Sequence, residues 1–91
     1  MALFMISYDQ HRDKDYTPVW TQLRHWGAKR ILESVWFANL NGTAISVRDA
    51  LQRASRNEDS LVVVEIKAGS LWAAKGAQSE GVEWLKHSVL P

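Results

Sequence analysis

Asp9, His11, Asp13 and Asp15 place four groups able to ligate a cation or move a proton within seven residues, interleaved with Arg12 and Lys14. Oxygen donors in such a loop suit a hard divalent cation such as Mg²⁺, and an imidazole beside them suits proton transfer. Asp9 differs from the other three. It follows the apolar run Leu3-Phe4-Met5-Ile6 and then Ser7-Tyr8, so it closes a strand. The others belong to the charged segment Gln10–Asp15, where plain solvation accounts for them. A carboxylate at a strand end can face its two-fold mate in a dimer. Two such groups repel, and a cation between them relieves the repulsion. A metal there could activate water or stabilise a phosphoryl transition state. The competing reading makes Asp9 a polar strand terminator that accepts backbone hydrogen bonds.

Other chemistry is sparse. Arg12, Arg24, Lys29 and Arg30 are expected to gather at the Asp9 end if the first helix runs back along the first strand, giving a patch that steers phosphates. The alternative is a balanced surface, since eleven Lys plus Arg against ten Asp plus Glu leave a net charge of +1. His25 and His87 receive no catalytic role, and no Ser/His/Asp set, phosphate-binding Gly loop or paired-His spacing is present. Of five tryptophans, Trp26 and Trp36 read as core. Trp20, Trp72 and Trp84 read as interface residues, with base stacking as the other option.

The elements that must position these residues follow from periodicity and caps. Ala2–Asp9 reads as a buried strand. Thr17-Pro18 starts a helix, with the threonine hydroxyl as cap and Pro at the first helical position. Val19, Leu23 and Trp26 give it one apolar face, and Gly27 stops it. Lys29–Leu40 is long for one strand, and Glu33-Ser34 interrupts it, so it reads as two short strands or one bent strand. Asn41-Gly42 is a turn. Ser46 with Asp49 is taken as the cap of a second helix, whose stripe is Val47, Ala50, Leu51 and Ala54 and whose end is Asn57-Glu58-Asp59. Leu61-Val62-Val63-Val64 and Ile66 suit a central strand covered on both faces, or on one face plus a partner. Leu71–Ala74 is expected as an edge strand and Gly81–Val89 as a short C-terminal helix.

Ninety-one residues with 46% hydrophobic content make one domain, 1–91, near the lower limit for a self-sufficient core. With no Cys, disulfides and thiolate metal sites are excluded. The N-terminal apolar run is too short for a signal peptide and lacks a basic flank, and no segment is long enough to span a bilayer. The expected setting is cytoplasmic, without membrane contact. Strands separated by helices, followed by an appendage, define an α+β class: a ferredoxin-like βαββαβ sandwich with a C-terminal strand/helix extension. Its second sheet face is open unless something packs there, which favours a homodimer.

Ser7-Tyr8-Asp9, Trp26-Gly27, Glu33-Ser34-Val35-Trp36 and Glu58-Asp59-Ser60-Leu61-Val62-Val63-Val64 occur in this order. The pattern resembles the Cas-two superfamily of CRISPR-associated proteins, especially its small SinR-like relatives. It is strongest over residues 3–67 and extends to Glu83-Trp84-Leu85-Lys86. The resemblance implies a homodimer of ferredoxin-like subunits that acts on or binds RNA or DNA; the alternative is a non-catalytic dimeric adaptor or interaction module that binds DNA, a nucleotide ligand or a partner protein. Nucleases of this family hold one divalent metal between the first-strand Asp of both subunits; other members are DNA adaptors, and VapD-type ribonuclease toxins share the fold. By position, Asp9 would be the catalytic, Mg²⁺-binding residue. Tyr8, Ser34 and Trp36 occupy the signature positions, and Arg30, with Arg12 from the loop, would contact nucleic acid.

Overall fold

The computed structural model describes residues 1–9, 15–55 and 60–91. The first strand, β1 (Ala2–Tyr8), sends Phe4, Ile6 and Tyr8 into a sealed core and turns Leu3, Met5 and Ser7 to the opposite side. This period-two split gives the sheet a near face and a far face.

Helix α1 (Thr17–His25) begins differently from the sequence expectation. Tyr16 occupies the cap position without a side-chain cap bond, and the Asp15 carboxylate accepts the Thr17 N–H at 2.9 Å. Pro18 falls in the first turn, where a missing N–H costs nothing. Gly27, at φ +76°, ends the helix in the left-handed conformation glycine adopts freely.

The Lys29–Leu40 segment is a hairpin of two strands, β2 (Lys29–Leu32) and β3 (Val35–Leu40), with Glu33-Ser34 as its turn. Helix α2 (Ala44–Ala54) starts earlier than a Ser46 cap would allow. Thr43 is the cap: its hydroxyl accepts the Ser46 N–H at 3.1 Å, and its own N–H donates to the Ser46 hydroxyl at 2.9 Å. Ser46, not Asp49, closes this reciprocal box because it stands three residues after the true cap. The expected helix end at Asn57-Glu58-Asp59 lies outside the described residues.

Strand β4 (Leu61–Ile66) completes an antiparallel sheet of order β2-β3-β1-β4. This is the α+β, ferredoxin-like βαββαβ arrangement, in which each strand–helix–strand unit is split by a strand of the other. The β-branched run is therefore an edge strand rather than a central one. Val62 and Val64 are 58% and 43% exposed on the far face. Helices α1 and α2 cover the near face, where Phe4, Ile6, Leu23, Trp36 and Leu51 are almost wholly buried.

The C-terminal segment packs on the far face. Helix α3 (Ser79–Ser88) presents Leu85 to Ile31 and Phe37, joined by Val89 just beyond the helix. Leu71–Ala74 is not the expected edge strand. No ladder pairs it; the Trp72 indole N–H instead donates to the Leu90 carbonyl at 2.7 Å, which ties this stretch to the end of α3. Gly81 sets how closely α3 approaches β2. A Cβ there would strike Ile31, 2.6 Å from its Cα. No helix among the described residues is long and apolar enough to cross a membrane.

Candidate nucleic-acid interface at the end of the first strand

Asp9 is exposed, yet its backbone is pinned on both sides. Its N–H donates to the Ser60 carbonyl at 3.1 Å, next to β4. Its own carbonyl accepts the Tyr16 hydroxyl at 2.6 Å, at the mouth of α1. No hydrogen bond or ion pair to its carboxylate exists among the described residues. A polar strand terminator would turn its carboxylate onto backbone donors. Asp9 has a backbone fixed on both sides and a carboxylate with no such partner among the described residues.

Behind it lies an aromatic stack. Tyr8 is 7% exposed, and its hydroxyl accepts the Trp20 indole N–H at 2.6 Å and the Trp36 indole N–H at 3.2 Å. Tyr8 and Tyr16 stack with centroids 5.3 Å apart, and Tyr16 stacks on Trp20 at 6.3 Å. Trp36 is 1% exposed, so neither it nor Tyr8 is open to a nucleobase. Both shape the platform under the exposed residues. Ser34 sits half-buried in the β2–β3 turn, where its carbonyl accepts the Tyr8 N–H at 3.2 Å.

Arg30 lies over this platform. Its guanidinium carbon is 4.9 Å from the Trp20 ring centroid and 5.3 Å from that of Trp36. Its Nε donates to the Glu33 carbonyl at 2.8 Å, and an Nη donates to the same oxygen. No carboxylate pairs with Arg30 among the described residues. Indole faces and one carbonyl thus fix a guanidinium whose charge is left unneutralised.

Arg24 has the opposite fate. It also lies over Trp36, at 4.7 Å, but Glu80 binds it through two 2.9 Å hydrogen bonds. Glu80 Oε1 further accepts the Arg30 N–H at 3.1 Å. The hydrogen bond from Arg24, then the Arg30 N–H and the charges of Arg24 and Lys29, hold the Glu80 carboxyl below the usual glutamate value against a smaller effect of burial. Its hydrogen bond to Glu80 raises Arg24 in turn.

The expected gathering of Arg12, Arg24, Lys29 and Arg30 at Asp9 does not form as drawn. Helix α1 starts beside Asp9 and runs away from it, so Arg24 is in its last turn. Lys29 pairs with Phe37, at the opposite end of β2 from Leu32, which faces Val35 near the Asp9 end. Arg30 remains. Arg12, with His11 and Asp13, lies outside the described residues.

Tyr16 and Glu80 contribute to this region and were not marked by the sequence. Trp20 stands one helical turn after Tyr16, a spacing that could have linked the pair. Glu80 is 56 residues from Arg24 and carries no local signal.

Trp72 and Trp84, expected at an interface, pack on their own chain. Trp84 stacks on Phe37 at 5.0 Å, with ring planes 9° apart. Among the described residues, no group of three or more His, Asp or Glu side chains could hold a metal ion. A cation at Asp9 needs ligands beyond those that the described residues of one chain bring together. No family model matches the chain, and no solved structure matches it.

Proposed function

We propose that the chain is a cytoplasmic, Cas-two-like homodimer that associates with nucleic acid, with Asp9 and Arg30 as the residues that meet it. The observation that carries this reading is the backbone-pinned Asp9 at the end of β1, whose carboxylate has no partner among the described residues. Arg30 adds a fixed cation without a carboxylate partner among the described residues, suited to a phosphate oxygen. Tyr8, Ser34 and Trp36 hold the platform in place, and Arg12 falls between Asp9 and α1 in the sequence. The Mg²⁺-dependent endoribonuclease form of this proposal requires a second Asp9 from the partner copy. The adaptor form requires only Arg30 and the surrounding surface.

Labelled single-stranded RNA and duplex DNA, incubated with Mg²⁺ or Mn²⁺, separate the two. RNA cleavage by the wild type that Asp9→Ala abolishes establishes the endoribonuclease form. Binding without cleavage, weakened by Arg30→Ala with a salt slope reduced by about one, establishes the adaptor form. Neither binding nor cleavage in the dimer overturns both.

A further inference from the structure

On the far face, a groove of about 440 Å³ lies between the sheet and the segment that bridges β4 to α3. Met5, Phe37 and Ile66 form its floor, Leu85 closes one wall, and the Ser70–Ala77 strap forms the other. This volume falls within the range of about 300–1,000 Å³ common for small-molecule sites. The lining is apolar with two exceptions, Ser70 and Lys75.

Lys75 is exposed, and no carboxylate pairs with it among the described residues. The strap's backbone is held at its two ends, and the Trp72 indole ties its middle to the Leu90 carbonyl. Gly69 N–H donates to the Val89 carbonyl at 2.9 Å, and Gln78 N–H to the Ile31 carbonyl at 2.9 Å. Between Leu71 and Ala77 no backbone–backbone hydrogen bond forms among the described residues. The wall beside the apolar floor thus carries one charged group, the Lys75 ammonium, alongside backbone N–H and C=O groups that no backbone–backbone bond pairs among the described residues.

We propose that this groove binds an apolar carboxylate, the chain lying over Met5, Phe37 and Ile66 and the head group meeting Lys75 and the strap's N–H groups. Burial of the chain supplies most of the affinity. The lysine supplies the sign preference, a modest effect for an exposed pair. The inference is independent of any role of Asp9.

The test titrates the full chain with decanoate and with decyltrimethylammonium, each below its aggregation threshold, by calorimetry. Decanoate is expected to saturate at one per chain and to bind more tightly than the cation. Lys75→Glu is expected to weaken decanoate about threefold to tenfold and to narrow or reverse the preference. Ala74→Trp, at an exposed strap position, should fill the groove and abolish binding while leaving thermal unfolding unchanged. Non-saturating titration, equal affinity for both head groups, or binding unaffected by Ala74→Trp overturns the proposal. So does a wild-type dimer that excludes decanoate and that Ala74→Trp splits into monomers, because a second copy would then be the occupant.

Discussion

The two faces of the sheet are closed by different means. The near face is sealed by α1 and α2, helices that belong to the βαββαβ chain path, and its core residues are almost fully buried. The far face is covered by an appended helix and an unpaired strap, with Trp72, Val82 and Trp84 only half-buried and an open groove between. The near face also carries the indole–phenol–guanidinium stack that supports Asp9 and Arg30.

The comparison is broken first by matched truncations. Leu23→Ala should cost about 3–4 kcal/mol in denaturant unfolding, because Leu23 is fully buried in the near-face core. Leu85→Ala, beside an open groove, should cost nearer 2 kcal/mol. Equal losses would mean that the far face is as tightly specified as the near one.

Gly81→Ala comes next. Its added carbon meets the Ile31 backbone, so α3 must shift, at about 1–3 kcal/mol. The far-face indoles Trp72 and Trp84 should change their near-ultraviolet signal while α1 and α2 keep their amide protection. Loss of protection throughout would show that the two faces unfold as one unit.

Tyr8→Phe tests the near-face stack. It removes the acceptor of two indole N–H groups and should cost about 1–3 kcal/mol, with the Trp20 and Trp36 indole protons shifting in NMR spectra. Unshifted indole protons would place the stack's order elsewhere.

Glu80→Gln has the smallest expected effect, under about 1 kcal/mol, since the ion pair is largely solvent-exposed. Glu80 is held below its ordinary value in the folded chain, so its contribution is complete above that value and is lost as pH falls through the lowered one. The stability difference between wild type and Glu80→Gln should therefore shrink on acidification below the ordinary glutamate range. A difference that grows there would contradict the ion-pair assignment.

Local signals in the sequence account for the near face and less of the far one. Alternation in β1, the Val19/Leu23 stripe and Gly27 all act over a few residues, so strand, helix and helix end can be read directly. Thr43 is a subtler case, since Ser46 is an acceptable cap until Thr43 takes the position and converts it to the box partner. The valine run in β4 shows strand but not depth in the sheet, which depends on strand order. The C-terminal fold depends on distant ties, Trp72 to Leu90 and Glu80 to Arg24, that no periodicity encodes. At the candidate site Asp9 stands out as a strand end, and Arg30 shows only as a charge. Among the described residues Glu80 is engaged by the Arg24 guanidinium, and no carboxylate pairs with that of Arg30.

The most direct test of Asp9 is Mn²⁺ binding, followed by paramagnetic resonance of the free ion alongside sedimentation of the protein. In the endoribonuclease form the dimer should retain one Mn²⁺ per two chains, and Asp9→Ala should remain a dimer and retain none. A metal-free wild-type dimer, one ion per chain, or undiminished retention in Asp9→Ala would contradict a site built from two copies of Asp9.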